Sequence, residues 1–268
     1  MTEIPAPYII ASPAVPANSI APVRIKRDRD DNAARVPIYW PVGFHGDPYL
    51  MRLADLLVQR VSQFVETGTD SGSTVGYVAR MYPWLDCFTC ETSEQVYSIA
   101  KKNLAQHPNI ILANQHSTEF LKSLTSDLKR IIPGGRMVLT STLFWLDAHS
   151  HGWGCKLGDE LSIILARWQS GYILMDDFQV PGRPELGYDW YESDGPVNWE
   201  NMGKAVKDHP KLNRLYYPNY PPPFGTRGFG LLVFGDASIE GLPEFLTEDI
   251  SDATILADIL PIVWPKVK

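Results

Sequence analysis

Short apolar runs alternate with longer segments of helical periodicity along most of this chain. Leu50, Leu53, Leu57 and Val61 recur at helical spacing. Asp47 precedes them as a candidate N-cap, with Pro48 at the first helical position. A strand is expected over 62–66, then the polar loop "TGTDSG", then a helix from about Ser73 with Val75 and Val78 facing inward. The alternation repeats with a strand over 85–91 and a helix opened by a capping-box pattern of Thr92 and Gln95. A strand over 109–113 leads to a helix with Phe120, Leu121, Leu124 and Leu128 on one face. A strand over 142–150 and a Gly-rich loop precede a helix that turns Leu161, Ile164, Leu165 and Trp168 inward, and a strand over 172–178 closes the series.

Strands alternating with helices predict an α/β fold, a doubly wound and mostly parallel sheet covered on both faces. That explains why these strands are apolar throughout. After Phe178 the texture changes. Residues 179–199 carry four aromatics and three prolines, the makeup of an ordered loop or lid. A helix near 199–208, the strand "LNRLYYPN", a triple-proline turn, a strand over 229–236 and a last helix at "EDISDATILADIL" complete the pattern. Residues 1–35, rich in Pro and Ala and then in charge, show no periodicity. They read as an arm that wraps the domain or a partner subunit of a homo-oligomer, or else as disordered chain. The single domain is expected over 36–268.

Charge narrows the partners. Lys and Arg number 24 against 31 Asp and Glu, a net charge of −7, and "RIKRDRD" is the one short basic cluster. Long nucleic acids are thereby disfavoured. No apolar run approaches the ~20 residues needed to span a bilayer, and the N-terminus lacks a signal-peptide pattern, so a cytoplasmic protein with no membrane partner is expected. The three cysteines do not form a disulfide scaffold. Cys87 and Cys90 sit three apart on an expected strand, pointing to opposite faces, and cannot chelate zinc together.

The loop "ETGTDSG" falls at the carboxyl end of a strand, where doubly wound sheets bind ligands. A phosphate-binding P-loop needs Lys followed by Ser or Thr after its last glycine; here Ser73, Thr74 and Val75 follow Gly72. A dinucleotide fingerprint needs a third glycine, and only Gly68 and Gly72 are present. Glu66 beside the loop would repel phosphate and attract a cation. Glu91 ends the next strand, where an acid suits two hydrogen bonds to ribose hydroxyls. A ligand with a ribose, a positive centre and no phosphate fits both acids, and S-adenosylmethionine (SAM) is such a ligand.

The run "VETGTDSGSTVGYVA … CETSEQVYSIAKKNL … NIILANQHSTEFL … FWLDAHS … ILMDDF" resembles class I SAM-dependent methyltransferases over roughly residues 60–180. It is similar in particular to a bacterial group reading "ETGT…GGST", "FWLDAH" and "ILIDD", itself similar to metal-dependent sugar O-methyltransferases. The resemblance implies a seven-stranded sheet of order 3-2-1-4-5-7-6 with an antiparallel last hairpin. It implies SAM contacts from Glu66, Thr67, Gly68, Ser71, Gly72, Ser73, Glu91 and Asp147. Where relatives place "GDS" against adenine this chain reads "NQHS", so Gln115, His116 or Ser117 takes that contact, Ser117 being carried as the candidate.

Asp147 and the pair Asp176–Asp177 sit at the ends of neighbouring expected strands, ~4.8 Å apart. Such carboxylates can converge on one hard cation, and oxygen ligands with room for water suit Mg²⁺. A metal would also relieve their mutual repulsion. The resemblance carries the same three residues over as Mg²⁺ ligands that fix vicinal hydroxyls of a sugar. His149 and His151 follow Asp147, and strand alternation would put all three on one side. His149 is the preferred base for removing a hydroxyl proton, His151 the alternative, and Asp147 joins them as a catalytic candidate. Trp153, Tyr188, Trp190 and Tyr191 would cover the strand ends, against a sugar ring or as a hydrophobic plug. The expected activity is methyl transfer from SAM to a hydroxyl of a sugar or small hydroxylated metabolite, with Mg²⁺ assistance. The alternatives are a metal-free methyltransferase acting on another nucleophile, and a non-catalytic SAM-binding module.

Overall fold

A computed structural model describes residues 24–26, 42–131, 141–149, 154–221 and 227–249, with only the backbone described for 24–26 and 125–131. In chain order it runs β1 (Arg24–Lys26), α1 (Pro48–Val58), β2 (Gln63–Thr67), α2 (Ser73–Met81), β3 (Asp86–Glu91) and α3 (Glu94–Asn103). Next come β4 (Ile110–Asn114), α4 (Ser117–Ile131), β5 (Thr142–Leu146), α5 (Leu157–Arg167) and β6 (Gly171–Met175). The remainder is β7 (Tyr188–Tyr191), β8 (Gly195–Pro196), α6 (Trp199–Met202), β9 (Leu212–Pro218), β10 (Gly230–Phe234) and β11 (Leu246–Glu248).

The central sheet has the order β11-β9-β10-β6-β5-β2-β3-β4. From β4 to β6 all pairings are parallel, and β10 is antiparallel to both β6 and β9. Without β11 this is the order 3-2-1-4-5-7-6. The eighth strand lies where a last helix was expected to begin. Leu246 to Glu248 pair antiparallel with β9, and the Asp249 N–H donates to the Leu215 carbonyl at 2.7 Å. The rest of that expected helix lies outside the described residues.

Each face of the sheet has its own core. Leu53, Leu57, Val75, Val78 and Ala100 of α1–α3 pack with Phe64, Cys87, Trp145 and Tyr172 on one face. Phe120, Leu121, Leu161, Ile164 and Trp168 of α4 and α5 pack with Val65, Phe88, Cys90, Phe144 and Ile173 on the other. Cys87 and Cys90 thus lie in opposite cores as free thiols. β2, β5, β6 and β10 are buried at every position, as strands covered on both faces must be. Among the described residues, no helix is long and apolar enough to cross a membrane.

Several boundaries differ from the sequence reading, each for a local reason. β5 stops at Leu146 rather than running to 150, because its neighbours end in register with it: Leu146 pairs with Thr67 on one side and Met175 on the other. β6 stops at Met175, and Asp177 enters the left-handed region at φ 51°. α3 is capped by Ser93, whose hydroxyl accepts from the Val96 N–H at 3.4 Å, not by Thr92. The capping box fails because the Glu91 carboxylate takes the Ser93 N–H at 2.8 Å and fixes the turn one residue later. The expected loop over 179–199 holds β7 and β8, which form a small sheet with β1. Of the expected arm, only Arg24–Lys26 is described, paired in parallel with β7.

Candidate active site

β2 to β6 end at one edge of the sheet, and strand order reverses there between β2 and β5. α2 leaves β2 toward one face and α5 follows β5 on the other, so a crevice opens at this switch point.

On the β2–β3 side the site is a tight loop. Gly68 has φ +84°, and a Cβ there would meet the Asp147 carbonyl oxygen at 2.2 Å. Only glycine lets the loop lie so close to the β5 exit. The Gly68 and Thr69 N–H groups both donate to the Cys90 carbonyl, at 3.1 and 3.0 Å. Gly72 has φ +90°, and the space its Cβ would need is filled by Leu104. Asn103 donates to the Ser71 carbonyl at 2.9 Å, and the Ser71 and Ser73 hydroxyls lie 3.1 Å apart. Glu91 stands at the rim. Its carboxylate accepts from the Asp70 N–H at 3.1 Å and the Ser93 N–H at 2.8 Å. These bonds, with a further one from the Thr92 backbone, orient it, and a carboxylate's four lone pairs leave room for another donor. Burial raises its pKa, against those N–H groups.

Glu66 is placed differently from its sequence reading. It is 1% exposed, below the loop, and accepts from the Thr89 hydroxyl at 2.6 Å. That hydroxyl is 2.6 Å from Thr69. Burial pushes the Glu66 carboxyl up to about 8 despite bonds from Thr89 and the Val75 backbone. Through Thr89 and Thr69, Glu66 supports the loop from below. Thr67 is fully buried. Ser117, at the start of α4, is 8% exposed and faces Glu160 of α5, which burial pushes up to about 7 against the Ser117 hydroxyl.

On the β5–β6 side, residues distant in sequence meet. The Asp147 N–H donates to the Thr67 carbonyl at 3.0 Å and the Asp176 N–H to the Leu146 carbonyl at 3.1 Å, which sets both acids just past their strands. His45 Nε2 lies 2.6 Å from Asp176 Oδ2, and His45, Asp147 and Asp176 each offer a ligand atom within 4.8 Å of the others. The Asp176 carboxylate raises the His45 imidazole to about 9, against burial. Burial alone would push Asp176 up, but the His45 imidazolium and its hydrogen bond hold it below the usual carboxylate range. Asp147 has the weaker pull of Arg227 instead. Desolvation, then the Asp176 and Asp177 charges, push it well above that range.

Asp177 does not join this group. Its carboxylate contacts the Arg227 guanidinium, which also holds Asp189 at 2.8 Å. Tyr191 donates to Asp189 at 3.0 Å, and the Asp189 N–H donates to the Asp177 carbonyl at 2.9 Å. Burial, then the Asp176 charge, push Asp177 up to about 7 against the pull of Arg227. The expected set of three aspartates is therefore divided, because φ 51° at Asp177 turns it toward the β7 segment.

His149 lies beyond the end of β5, so strand alternation does not fix its side chain. His151 and Trp153 lie outside the described residues. Tyr188 is buried in β7, and Trp190 and Tyr191 are half-buried. Gln115 accepts from the Ser123 hydroxyl at 3.4 Å, and His116 lies 3.4 Å from the Thr92 hydroxyl. Sequence reasoning missed His45 and Arg227. The available signal was a pair of glycines bracketing each, in "GFHG" and "GTRG".

No family model and no curated protein matches the sequence. Among solved structures, the chain is similar to an O-methyltransferase from Bacillus cereus in complex with SAH, at 14% identity over 75% of this chain and 86% of that chain, TM-score 0.49. It is similar to the O-methyltransferase TomG from Streptomyces achromogenes, involved in tomaymycin synthesis and in complex with SAM, at 13% identity over 70% and 79%, TM-score 0.49. A third is a SAM-dependent O-methyltransferase from Thermotoga maritima, at 12% identity over 78% and 70%, TM-score 0.45. Identities and TM-scores this low leave function to be argued from the chain's own residues.

Proposed function

We propose that the chain is a SAM-dependent O-methyltransferase acting on a hydroxyl of a sugar or small hydroxylated metabolite, assisted by a divalent cation, Mg²⁺ in the sequence reading. One observation carries this. A carboxylate oriented by backbone N–H groups, Glu91, stands across the switch point from a pair of acids, Asp147 and Asp176. Glu91 fits a ribose diol, since its oxygens can each accept one hydroxyl while keeping their backbone bonds. The cluster of Asp147, Asp176 and His45 fits a divalent cation by its donor chemistry.

Methyl transfer needs alignment and removal of one proton. Bound SAM would supply an electrophilic methyl group and leave as a neutral thioether once that group is transferred, so the chain's own task is to align the acceptor hydroxyl and take its proton. The hydroxyl proton passes to a base, for which His149 is the candidate and His151 the alternative. Asp147 faces both sides, with its backbone against Gly68 and its carboxyl toward Asp176. A bound divalent cation would supply a lowered hydroxyl pKa and a fixed orientation for the acceptor.

The ion pair of His45 with Asp176 at 2.6 Å favours a second reading, a metal-free methyltransferase acting on another nucleophile such as an amine. The pair neutralises an acid that a cation would otherwise neutralise. A non-catalytic SAM-binding module would keep the Glu91 side without needing the other. Calorimetry with SAM, followed by turnover after EDTA dialysis and after Mg²⁺ addition, separates all three. The leading reading expects SAM binding in the micromolar range, roughly −8 kcal/mol, turnover lost in EDTA and restored by Mg²⁺. Turnover that survives EDTA supports the metal-free enzyme. No SAM binding by folded protein overturns the assignment.

A further inference from the structure

We infer that His45 is a direct ligand of the divalent cation, completing a nitrogen–oxygen–oxygen site with Asp147 and Asp176, and that this site prefers a cation that accepts imidazole, such as Mn²⁺ or Co²⁺, over Mg²⁺. This rests on the cation reading of the same site. Its first support is placement. Bonds of ~2.1 Å put the ligand atoms of one ion ~3–4 Å apart, and here they lie within 4.8 Å of one another. Closure onto an ion takes shifts of about a few tenths of an ångström per side chain.

The second support is how the histidine is held. Phe44 and His45 both occupy the left-handed region, at φ 53° and 55°. Such residues persist where their surroundings over-determine them. The surroundings here do so. Phe44 is wholly buried, edge-on to Trp145 at 5.1 Å, and its N–H donates to the Thr74 hydroxyl at 3.2 Å. Asp47, two residues on, caps α1 through the Tyr49 and Leu50 N–H groups and accepts from Tyr220 at 2.5 Å. The turn between these fixed points carries the imidazole over Asp176, with 49% of its side chain open to solvent and so to further ligands. Asp177 is meanwhile held by Arg227 and Asp189.

The preference follows from ligand chemistry. Mg²⁺ favours an all-oxygen shell, whereas imidazole suits first-row transition cations. Binding would release the proton now shared between His45 and Asp176 to solvent.

The test uses the full chain freed of metal by EDTA and dialysis. Co²⁺ is titrated by its visible absorption, Mn²⁺ and Mg²⁺ by calorimetry, and SAM binding is measured on the same samples. Wild type is expected to bind Co²⁺ and Mn²⁺ at least tenfold more tightly than Mg²⁺. His45→Ala and His45→Gln, on a half-exposed side chain, should each weaken Co²⁺ and Mn²⁺ binding by more than ~100-fold, beyond the ~10–100-fold that loss of an outer-shell partner brings. Asp177→Asn, which leaves all three ligand atoms in place, should cost no more than the ~10–100-fold of an outer-shell partner. Unchanged Co²⁺ and Mn²⁺ affinity in both His45 variants overturns the inference, as does a wild type that binds Mg²⁺ as tightly as Mn²⁺. SAM binding without Co²⁺ binding overturns the inference and leaves the cofactor reading standing. Co²⁺ binding lost with His45, in a protein that binds no SAM, upholds the inference and removes the methyltransferase reading.

Discussion

The two halves of the sheet's carboxyl edge are built on different plans. The β2–β3 half comes almost entirely from a contiguous stretch, residues 66–93, and is held by backbone bonds to Cys90 and Glu91. Burial pushes the pKa of its fully buried acid, Glu66, up to about 8. The β5–β6 half draws on residues 45, 147, 176, 177, 189 and 227 and is held by ion pairs. A pocket for an invariant cofactor can be written into one loop. The other half recruits side chains from several elements, and charge pairing keeps its clustered carboxylates tolerable.

The largest expected effect tests whether the second half carries the chemistry alone. His149→Ala should leave SAM affinity nearly unchanged and lower kcat by ~10²–10⁴-fold, with loss of a near-neutral pKa from the pH–rate profile. If His151→Ala shows that loss instead, the base lies two residues further on. Normal kcat in both variants would remove histidine from the role.

Arg227→Met strikes the ion pairs that hold this half. It leaves Asp177 and Asp189, both under 10% exposed, without their cation. Breaking such a buried pair costs about 3–5 kcal/mol, which urea unfolding would read directly. SAM affinity per folded molecule should stay at its wild-type value. A stability change below ~1 kcal/mol, the range of an exposed pair, would mean that water already screens the pairs and that the contrast between the halves is false.

The same contrast explains what the sequence disclosed. Helix starts such as Asp47–Pro48, the buried strands and the strand order were legible because each rests on local pattern or on packing of both faces. That Glu91 ends β3 beside the loop was legible because the strand's apolar run stops there. His45 was not, since its position depends on Phe44 entering the core, a tertiary event that no local pattern encodes. Asp177 was read as a metal ligand because adjacency to Asp176 suggests shared orientation; its left-handed backbone breaks that suggestion, and Arg227 is the competing partner. The burial of Glu66 was not legible either. An acid beside a glycine loop reads as facing a ligand, and only its place in a fully buried strand puts it under the loop.

Glu91→Ala tests the first half. Removing an oriented carboxylate from the ribose should weaken SAM binding by about 1.5–3 kcal/mol, the range for hydrogen bonds to a charged group. Metal affinity should not move, because Glu91 lies outside the His45–Asp147–Asp176 group. If calorimetry shows both ligands weakened together, the two halves are one coupled site.

The smallest expected effect is a slope. Glu66 titrates at about 8 in the folded chain against an ordinary 4.5. Between those values the unfolded chain has released a proton that the folded chain keeps, so stability falls as pH rises through that window and levels off above it. Glu160 and Asp177, both raised to about 7, add a decline of the same sign that ends earlier. Glu66→Gln keeps an acceptor for Thr89 but cannot ionise. Relative to wild type it should therefore gain stability from pH 5 to pH 8, on the order of 1–2 kcal/mol once relaxation of the buried site has absorbed part of the shift. The gain should accrue steadily from about pH 5 and level off near pH 8, because Glu160 and Asp177 decline equally in both proteins and cancel from the difference. The measurement is a pair of urea unfolding series across that range. Curves that run parallel would mean that Glu66 is ionised in the folded chain at neutral pH. It would then be a charge available to a sulfonium, and both halves of the edge would work by charge.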